Sequence, residues 1–439
     1  LVATSAETLN ISGDGDLFFD AEIFDENNGG NLAALETVNA GNTTSDLGID
    51  LTSIDAKNNL DITTGSGNDY VVLNFGDMGL DADGKPEDSF DFGPGVADYL
   101  VFGDDVSIVT NQDAAVLDNV TNASGLAVLD IRGKDTLEAI DAVNIDASLV
   151  DQNELFFRIT GRLELSNVSS SDLIGFLEEQ DPATNTIDME AGEETLNLEL
   201  LAVGGENKQA NVSDLTITGA SAINIDSLVE GGEVQSESNE LDLVTASNGR
   251  ITITGDQDLT LTTSTADPGG GTGLTITAAN FGAAVDVTGT DGTDTITAGD
   301  ADDTVRSSLG GDAITLGAGE DVYVLEDVGD ATSEAMERIA DFTSGEDALS
   351  FASILNGNDS TFFEIAVDVS TADTLEKALN LATRDADGTA NSVVSYFQFD
   401  GDTYVVANNG AEADFSDSAD AVIQLAGSVE LTAEDVVLA

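Results

Sequence analysis

Aspartate recurs every nine residues between Gly289 and Val324, and it is the residue type of this segment that can do chemistry. Each of four consecutive nonapeptides has Asp at its sixth position and a large apolar residue at its eighth. The aspartates are Asp294, Asp303, Asp312 and Asp321, the apolar residues are Ile296, Val305, Ile314 and Tyr323, and the accompanying turn residues are Gly292, Gly310, Gly319, Asp300 and Asp302. Carboxylate and carbonyl oxygens in clusters are the ligands that Ca²⁺ prefers. The aspartates and the turn residues are therefore predicted calcium ligands.

The nonapeptide pattern predicts a parallel β-roll, in which each repeat is a turn followed by a short strand and two repeats make one coil. Residues eighteen apart would then stack, which places Asp294 over Asp312 and Asp303 over Asp321. Carboxylates stacked at the strand spacing of about 4.8 Å repel one another unless a cation lies between them. The alternative is a metal-free array of β-turns with solvated aspartates.

A further copy of the nonapeptide, Thr64–Val72, contains Gly67 and Asp69. It has no neighbouring copy at a spacing of nine, so the calcium site predicted at Gly67 and Asp69 needs ligands from elsewhere in the chain. Asp81 and Asp83 resemble the start of an EF-hand loop, although the glycine comes too early and no Glu occupies the twelfth position. A calcium site at Asp81 and Asp83 competes with the alternative of a solvated turn.

The composition excludes the common catalytic chemistries. The 439 residues include no His and no Cys, so Ser-His-Asp hydrolysis, cysteine nucleophiles, histidine-ligated zinc, iron–sulfur clusters and disulfides all lack an essential group. With 85 Asp and Glu against 12 Lys and Arg, the formal net charge is −73. This charge argues against nucleic acid or an anionic membrane as a partner and favours cations. A salt-solvated acidic surface is the alternative explanation of the charge.

Strands are the elements expected to position these aspartates. Apolar and polar residues alternate in short segments that end in Gly and are rich in β-branched residues. Five such segments are Leu9–Gly13, Leu129–Gly133, Phe157–Gly161, Leu215–Gly219 and Ile251–Gly255. Short strands of similar length predict an all-β fold, a parallel β-solenoid or β-roll with few short helices. A series of β-sandwiches is the alternative.

Four segments are expected along the chain. Residues 1–150 form a β-rich, solenoid-like region with acidic loops, and residues 151–267 form a similar region with a short helical insertion. Residues 268–335, which begin at a glycine-rich break, form the calcium-binding β-roll. Residues 336–439 are expected to cap the roll.

Two helices are predicted among these strands. Ser370–Arg384 repeats apolar residues at helical spacing and has Ser370 as its expected cap. Ser171–Gln180 also places its apolar residues on one helical face and is followed by Pro182. The acidic stretch 181–194 is expected to be a surface loop.

The sequence resembles the RTX family of type I secreted bacterial proteins, both in the nonapeptides and in the segments C-terminal to them. Residues 338–349, RIADFTSGEDAL, are similar to the segment that caps the β-roll in RTX enzymes and surface-layer proteins. Residues 396–406 and 420–427 are similar to the C-terminal secretion region of Caulobacter-type surface-layer proteins. The chain departs from the family pattern in a short array whose second repeat has Ala301 in place of an expected Gly.

The resemblance implies export by a type I secretion machinery from the cytoplasm to the exterior, where calcium drives folding. It implies a secreted structural subunit of the surface layer (S-layer) of a Gram-negative bacterium, whose main partner is a second copy of itself. Lipopolysaccharide, bound through an N-terminal region, is a further implied partner. Two features of the sequence agree with this route: residues 1–10 carry no Sec-type signal, and no apolar run reaches the roughly 18 residues of a membrane span.

Other functions use the same features differently. An RTX adhesin or an extracellular matrix or filament protein would also fold on calcium. A calcium-dependent polysaccharide lyase needs only carboxylate ligands and an Arg or Lys base, for which Arg158 and Arg162 are candidates. These arginines are also suited to neutralising neighbouring carboxylates. RTX proteases and lipases require His, so we expect a protein without enzymatic activity.

Overall fold

The structure, a computed structural model, is an all-β parallel β-solenoid, and this confirms the predicted fold class. A solenoid forms because a strand with alternating apolar residues has one face to bury, and neighbouring coils cover that face continuously. The structure describes residues 6–20, 34–51, 59–74, 88–93, 98–103, 108–110, 120–121, 126–132, 142–149, 154–158, 162–177, 179–180, 185–202, 209–229, 238–245, 249–265, 272–306, 308–355, 361–384, 393–409 and 414–438.

The chain forms two compact units, Leu1–Gly219 and Ala220–Ala439. The boundary between them falls inside the predicted segment 151–267. The division into four segments stays a prediction.

The described residues of the first unit form nineteen strands in three parallel ladders. They are β1 (Thr8–Gly13), β2 (Leu17–Asp20), β3 (Thr37–Thr43), β4 (Leu47–Asp50), β5 (Asp61–Thr63), β6 (Tyr70–Asn74), β7 (Ser89–Asp91), β8 (Asp98–Gly103), β9 (Ile108–Thr110), β10 (Val120–Thr121), β11 (Leu126–Arg132), β12 (Ala142–Asp146), β13 (Glu154–Arg158), β14 (Arg162–Val168), β15 (Leu173–Leu177), β16 (Glu179–Gln180), β17 (Asn185–Met189), β18 (Thr195–Ala202) and β19 (Asn211–Thr218).

In this unit, each strand pairs with strands of the neighbouring coils and not with the next strand in sequence. One ladder is β1-β3-β5-β7-β10. A second is β2-β4-β6-β8-β11-β13-β15-β18. The third is β9-β12-β14-β17-β19, with β16 also beside β19. Because strands that follow one another in the first coils alternate between two ladders, each coil consists of two strands and two turns.

The second unit continues this design in two ladders. Its strands are β20 (Ala222–Val229), β21 (Asn239–Thr245), β22 (Arg250–Gly255), β23 (Leu259–Thr265), β24 (Thr272–Thr277), β25 (Val285–Thr288), β26 (Thr293–Thr297), β27 (Thr304–Arg306), β28 (Ala313–Thr315), β29 (Val322–Val324), β30 (Glu337–Ile339), β31 (Ala348–Ser350), β32 (Thr361–Phe362), β33 (Val393–Phe399), β34 (Asp402–Asn408), β35 (Ala421–Leu425) and β36 (Val436–Val437). Even-numbered strands from β20 to β30 pair in parallel and end on β35, and odd-numbered strands from β21 to β31 end on β36.

The nonapeptides form coils of eighteen residues, as predicted. Ile296 on β26 pairs with Ile314 on β28, and Val305 on β27 pairs with Tyr323 on β29. All four side chains point inward and are at most 1 % exposed. Each buried side chain of this size stabilises the fold by about 1.5–3 kcal/mol relative to an exposed one.

Coils outside the nonapeptides are longer, and their lengths vary. Leu47 lies 22 residues before its stacked partner Asp69, and Asp69 lies 29 residues before Asp98. The additional residues lie in the turns, so the strands keep their register while the spacing in sequence changes. Each unit therefore uses the two-strand coil, although the nine-residue period marks four consecutive repeats of the second unit.

An antiparallel hairpin and one α-helix cap the second unit. β33 pairs with β34 and β34 pairs with β35, both antiparallel, while β35 also pairs with β30. The helix α1 (Leu375–Arg384) packs its buried residues Ala378, Leu379 and Ala382 against the hairpin. This cap covers the edge of β30, which would otherwise offer unpaired N–H and C=O groups.

The predicted helix at Ser171–Gln180 is wrong, because its central residues form the strand β15. Ile174 and Phe176 point into the core at 0 and 1 % exposure. Gly175 lies beneath the ring of Phe156 on β13, where a Cβ would be 2.2 Å from Phe156 Cδ1. Parallel partners on both sides, β13 and β18, satisfy the backbone groups of this segment and override its local helical pattern.

Two other local predictions need correction. The stretch 181–194 is not a loop throughout, since it contains β17, whose Ile187 is fully buried. The predicted helix Ser370–Arg384 exists but begins at Leu375, and Thr374 rather than Ser370 caps it, accepting the N–H of Lys377 at 3.3 Å.

Among the helices of the described residues, none is long and apolar enough to cross a membrane.

Two glycines of the second unit provide a test of coil stacking. Gly317 has φ +103°, and a Cβ there would lie 1.9 Å from the carbonyl oxygen of Gly299 in the preceding coil. Gly345 has φ +85°, but no atom lies within 4 Å of its Cβ position. We expect Gly345→Ala to lower the free energy of unfolding by about 1 kcal/mol and Gly317→Ala by at least about 3 kcal/mol, because only the second forces coils apart. Urea unfolding in calcium measures both, and equal losses would contradict the stacking.

Candidate metal centre

One backbone position holds the predicted aspartates. In each of the nonapeptide coils, an acid at the start of the strand or directly before it turns its side chain inward. Its carboxylate accepts a hydrogen bond from the N–H of the residue stacked one coil earlier, as in the 2.8 Å bond from Asp294 N–H to Asp312 Oδ1. Successive side chains at this position therefore form columns that run along the solenoid.

Column one contains Asp294, Asp312 and Glu337. Leu274 N–H donates to Asp294 Oδ1 at 2.5 Å, and Asp312 N–H donates to Glu337 Oε2 at 3.1 Å. All three acids are at most 1 % exposed. The acids of this column are therefore buried in the core and not solvated.

Column two contains Asp303, Asp321 and Asp347. Val285 N–H donates to Asp303 Oδ1 at 2.8 Å, Asp303 N–H to Asp321 Oδ1 at 2.8 Å, and Asp321 N–H to Asp347 Oδ1 at 3.3 Å. The exposures of these side chains are 1, 0 and 5 %. The predicted stacking of Asp294 with Asp312 and of Asp303 with Asp321 is confirmed by these two columns.

The second carboxylate oxygen differs between members of the columns. In Asp294 and Asp303 it accepts an N–H from four residues earlier, at 2.6 Å in both cases. In Asp312 and Asp321 it is buried and has no hydrogen-bond partner. A carboxylate oxygen buried without a partner is costly unless a proton or a cation satisfies it. Asp312 Oδ2 and Asp321 Oδ2 are therefore the atoms that fit a metal ion best.

The columns carry negative charge with little compensation. Burial is the largest cause that raises the pKa of every column aspartate, and it raises the pKa of Asp321 to about 6 and that of Asp312 further. The stacked carboxylates add to this effect, Asp294 on Asp312 and Asp303 on Asp321. None of the ion pairs formed by described residues includes a column aspartate. A cation would favour the ionised form that burial disfavours.

Backbone carbonyls crowd the turns beside the columns. A Cβ at Gly310 would lie 2.4 Å from the carbonyl oxygen of Gly292, and one at Gly319 would lie 2.4 Å from that of Ala301. The predicted turn glycines are therefore needed for the close approach of stacked turns, with Ala301 tolerated where Gly is expected. This approach places a carbonyl oxygen of one coil beside the turn of the next, and such oxygens can complete a calcium shell.

The predicted ligands Asp300 and Asp302 lie apart from the columns. Both side chains are exposed at the turn. Asp302 Oδ1 accepts the N–H of Glu320 in the next coil at 2.8 Å. Asp302 thus links two turns at the surface, while the structure gives Asp300 no comparable bond.

Asp69 occupies the same position in the first unit. It is fully buried, and its carboxylate accepts the N–H groups of Leu47 and Gly65, each at 3.1 Å. Gly67 is buried in the adjoining turn. The other predicted pair, Asp81 and Asp83, lies outside the described residues.

Three acids of these columns are absent from the set predicted by sequence. Glu337 and Asp347 follow their stacked partners by 25 and 26 residues instead of eighteen, so no period reveals them. Asp98, which accepts the N–H of Asp69 at 2.7 Å, was detectable. The segment Gly93-Pro-Gly-Val-Ala-Asp98-Tyr-Leu has Gly, Asp and an apolar residue at the nonapeptide positions.

A metal in the columns would need backbone ligands. In the part of the chain that the structure describes, no three His, Cys, Asp or Glu side chains lie together as a metal-binding group. Two stacked carboxylates supplemented by turn carbonyls and water would make an oxygen shell of the kind calcium accepts. The donor set contains no nitrogen or sulfur, which disfavours zinc.

No protein-family model matches this chain, and no curated protein does. The lyase candidates gain nothing from the geometry. Arg162 is half exposed and pairs with Glu164 at 3.0 Å, which is the neutralising role weighed against catalysis. The side chain of Arg158 lies outside what the structure describes.

The raised pKa values predict how pH affects the metal-free protein. An aspartate with a folded-state pKa of about 6, such as Asp321, binds its proton more tightly folded than unfolded. Its contribution to stability is complete below the unfolded-state pKa near 3.9 and is lost as pH rises through about 6, a change on the order of 3 kcal/mol. We expect EDTA-treated protein to keep more β structure at pH 5 than at pH 7.5, as measured by far-ultraviolet circular dichroism.

Two variants separate this effect from general charge repulsion. Asp321→Asn removes the titrating group and should reduce the difference between the two pH values. Glu334→Gln, at an exposed position, should leave the difference unchanged. A metal-free protein that is more stable at pH 7.5 than at pH 5 would contradict the assignment.

Proposed function

We propose that this protein is a calcium-dependent structural subunit that assembles with copies of itself into a bacterial surface layer. The observation that carries the proposal is the pair of acidic columns, in which buried Asp312 and Asp321 each keep an oxygen without a partner. Calcium satisfies these oxygens and permits the coils to stack.

The choice of calcium follows from the donors and from the charge. The chain has no His and no Cys, so its metal ligands are oxygens. Its net charge of −73 opposes compaction and opposes contact between copies. Divalent cations relieve both kinds of repulsion, which links folding and assembly to the same ion.

A structural role agrees with the architecture. Regular coils with polar outward-facing residues, such as the threonines of β22, β24 and β26, offer polar faces for self-association. The resemblance of residues 338–349 and of the C-terminal segments to surface-layer proteins supports the same role. An adhesin or a matrix filament would use the same calcium-dependent fold, and the state of assembly separates these from a lattice.

The proposed sequence of events starts outside the cell. The exported chain meets millimolar calcium, its columns bind the ion, and the roll and its cap fold. Neighbouring copies then join through calcium at their acidic surfaces. Low calcium inside the cell keeps the chain extended and competent for export, because the unneutralised carboxylates repel one another.

Electron microscopy of the purified protein tests assembly. We expect ordered sheets in millimolar calcium that dissolve when EDTA is added. Asp303→Asn and Asp312→Asn each remove one column charge, so the calcium concentration needed for assembly should rise at least about tenfold.

The exposed Asp300 provides the matched control, since Asp300→Asn removes the same charge from the same array outside the columns. Its calcium requirement should equal that of the unmodified protein. Filaments instead of sheets would favour the matrix protein, and a calcium-bound monomer that never assembles would refute the proposal.

A further inference from the structure

We infer that the first unit contains its own divalent-cation site, formed by Asp69 and Asp98 in consecutive coils, with the exposed Asp46 as a neighbouring charge. The nonapeptide around Asp69 has no neighbour at a spacing of nine, and the structure supplies the missing neighbours from residues 22 and 29 positions away. This inference rests on the proposed function in one respect, that calcium is the ion. It concerns a different unit from the nonapeptide array.

Backbone hydrogen bonds stack Asp69 on Asp98 and hold Asp46 in the turn beside them. Asn68 N–H donates to Asp46 Oδ1 at 2.9 Å, and Asp69 N–H donates to Asp98 Oδ1 at 2.7 Å. Both oxygens of Asp69 accept an N–H and each keeps a second lone pair. The acids at the starts of β6 and β8 are thus held one above the other, with Asp46 at the surface beside them.

Asp98 provides the observation that points to a ligand. Its side chain is fully buried, and its Oδ2 atom has no hydrogen-bond partner. None of the ion pairs formed by described residues includes Asp46, Asp69 or Asp98. Burial raises the pKa of Asp98 to about 6, and the charges of Asp69 and Asp46 contribute to the rise. At neutral pH the site therefore holds negative charge that a bound cation would neutralise.

Turn carbonyls can supply the remaining ligands. A Cβ at Gly67 would lie 2.4 Å from the carbonyl oxygen of Ser45, and one at Gly93 would lie 2.1 Å from that of Gly65. The turns before β4, β6 and β8 therefore approach each other as closely as those of the nonapeptides. Hard divalent cations bind such mixtures of carboxylate and carbonyl oxygens.

The nonapeptide array has the same arrangement at a different spacing. Asp302 accepts the N–H of Glu320 as Asp46 accepts that of Asn68, and Asp303 donates to Asp321 as Asp69 donates to Asp98. The coil length between the stacked acids is eighteen residues in the array and 29 in the first unit. The site thus depends on the position at the start of the strand and not on the nine-residue period.

A cation at this position would hold three coils of the first unit together. Loss of the ion would leave Asp69 and Asp98 stacked as like charges in the core, so β4, β6 and β8 should open locally. The first unit would then need calcium for its own stability. This need would persist in variants whose nonapeptide array no longer binds calcium.

Hydrogen exchange of the full chain, with calcium as the only added metal, tests the inference. We expect amides of β4 and β6 to exchange at least about tenfold more slowly in calcium than in EDTA. Asp98→Asn keeps the oxygen that accepts Asp69 N–H and removes the charge, so it should abolish this protection while the array strands β26 to β29 stay protected. Asp303→Asn should do the reverse, and exposed Glu36→Gln should change neither region.

Each outcome decides one of the two proposals. Protection of β4 and β6 that is equal in calcium and EDTA, beside calcium-dependent protection of the array, overturns this inference alone. Absence of any calcium effect in both regions overturns the proposed function as well. If Asp98→Asn fails to fold, the surface variant Asp46→Asn replaces it, and an unchanged calcium midpoint for β4 and β6 in that variant overturns the inference.

Discussion

Burial of a carboxylate at the start of successive strands is the constraint on which the nonapeptide coils depend. A parallel coil leaves an N–H group at each strand entrance that must find an acceptor, and the aspartate of the next coil supplies it. The same bond brings the next carboxylate into the core at the following coil. Stability and charge therefore accumulate together along the solenoid.

The two oxygens of each column carboxylate have different roles. One oxygen accepts the stacked N–H and fixes the register, which leaves the other available for an ion where no backbone group reaches it, as in Asp312 and Asp321. An asparagine would make the same hydrogen bond without the charge. Under the proposed function, aspartate at all four repeats makes the fold conditional on a cation.

The spacing of the repeats determined which features of the fold and of the columns could be predicted from the sequence. The eighteen-residue stacking, the inward Ile296 and Tyr323, and the parallel solenoid followed from the repeat, because equal coils align equal positions. Glu337 and Asp347 were not predicted because their coils have 25 and 26 residues, and turn length is not encoded in the strand pattern. Asp98 was missed although its own segment has the nonapeptide pattern, because it lies 29 residues from Asp69. The predicted helix at Ser171–Gln180 failed for a related reason. Its apolar residues fit both a helical face and a strand, and only the neighbouring strands β13 and β18 decide between them.

Far-ultraviolet circular dichroism measures whether the acidic columns fold only when a specific cation is present. The EDTA-treated chain at neutral pH is titrated with calcium at constant ionic strength. We expect little β signal without calcium, a cooperative gain as calcium is added, and no such gain with sodium chloride alone. A full β spectrum in EDTA at low salt would contradict this expectation, because the columns would then be stable without a metal ion.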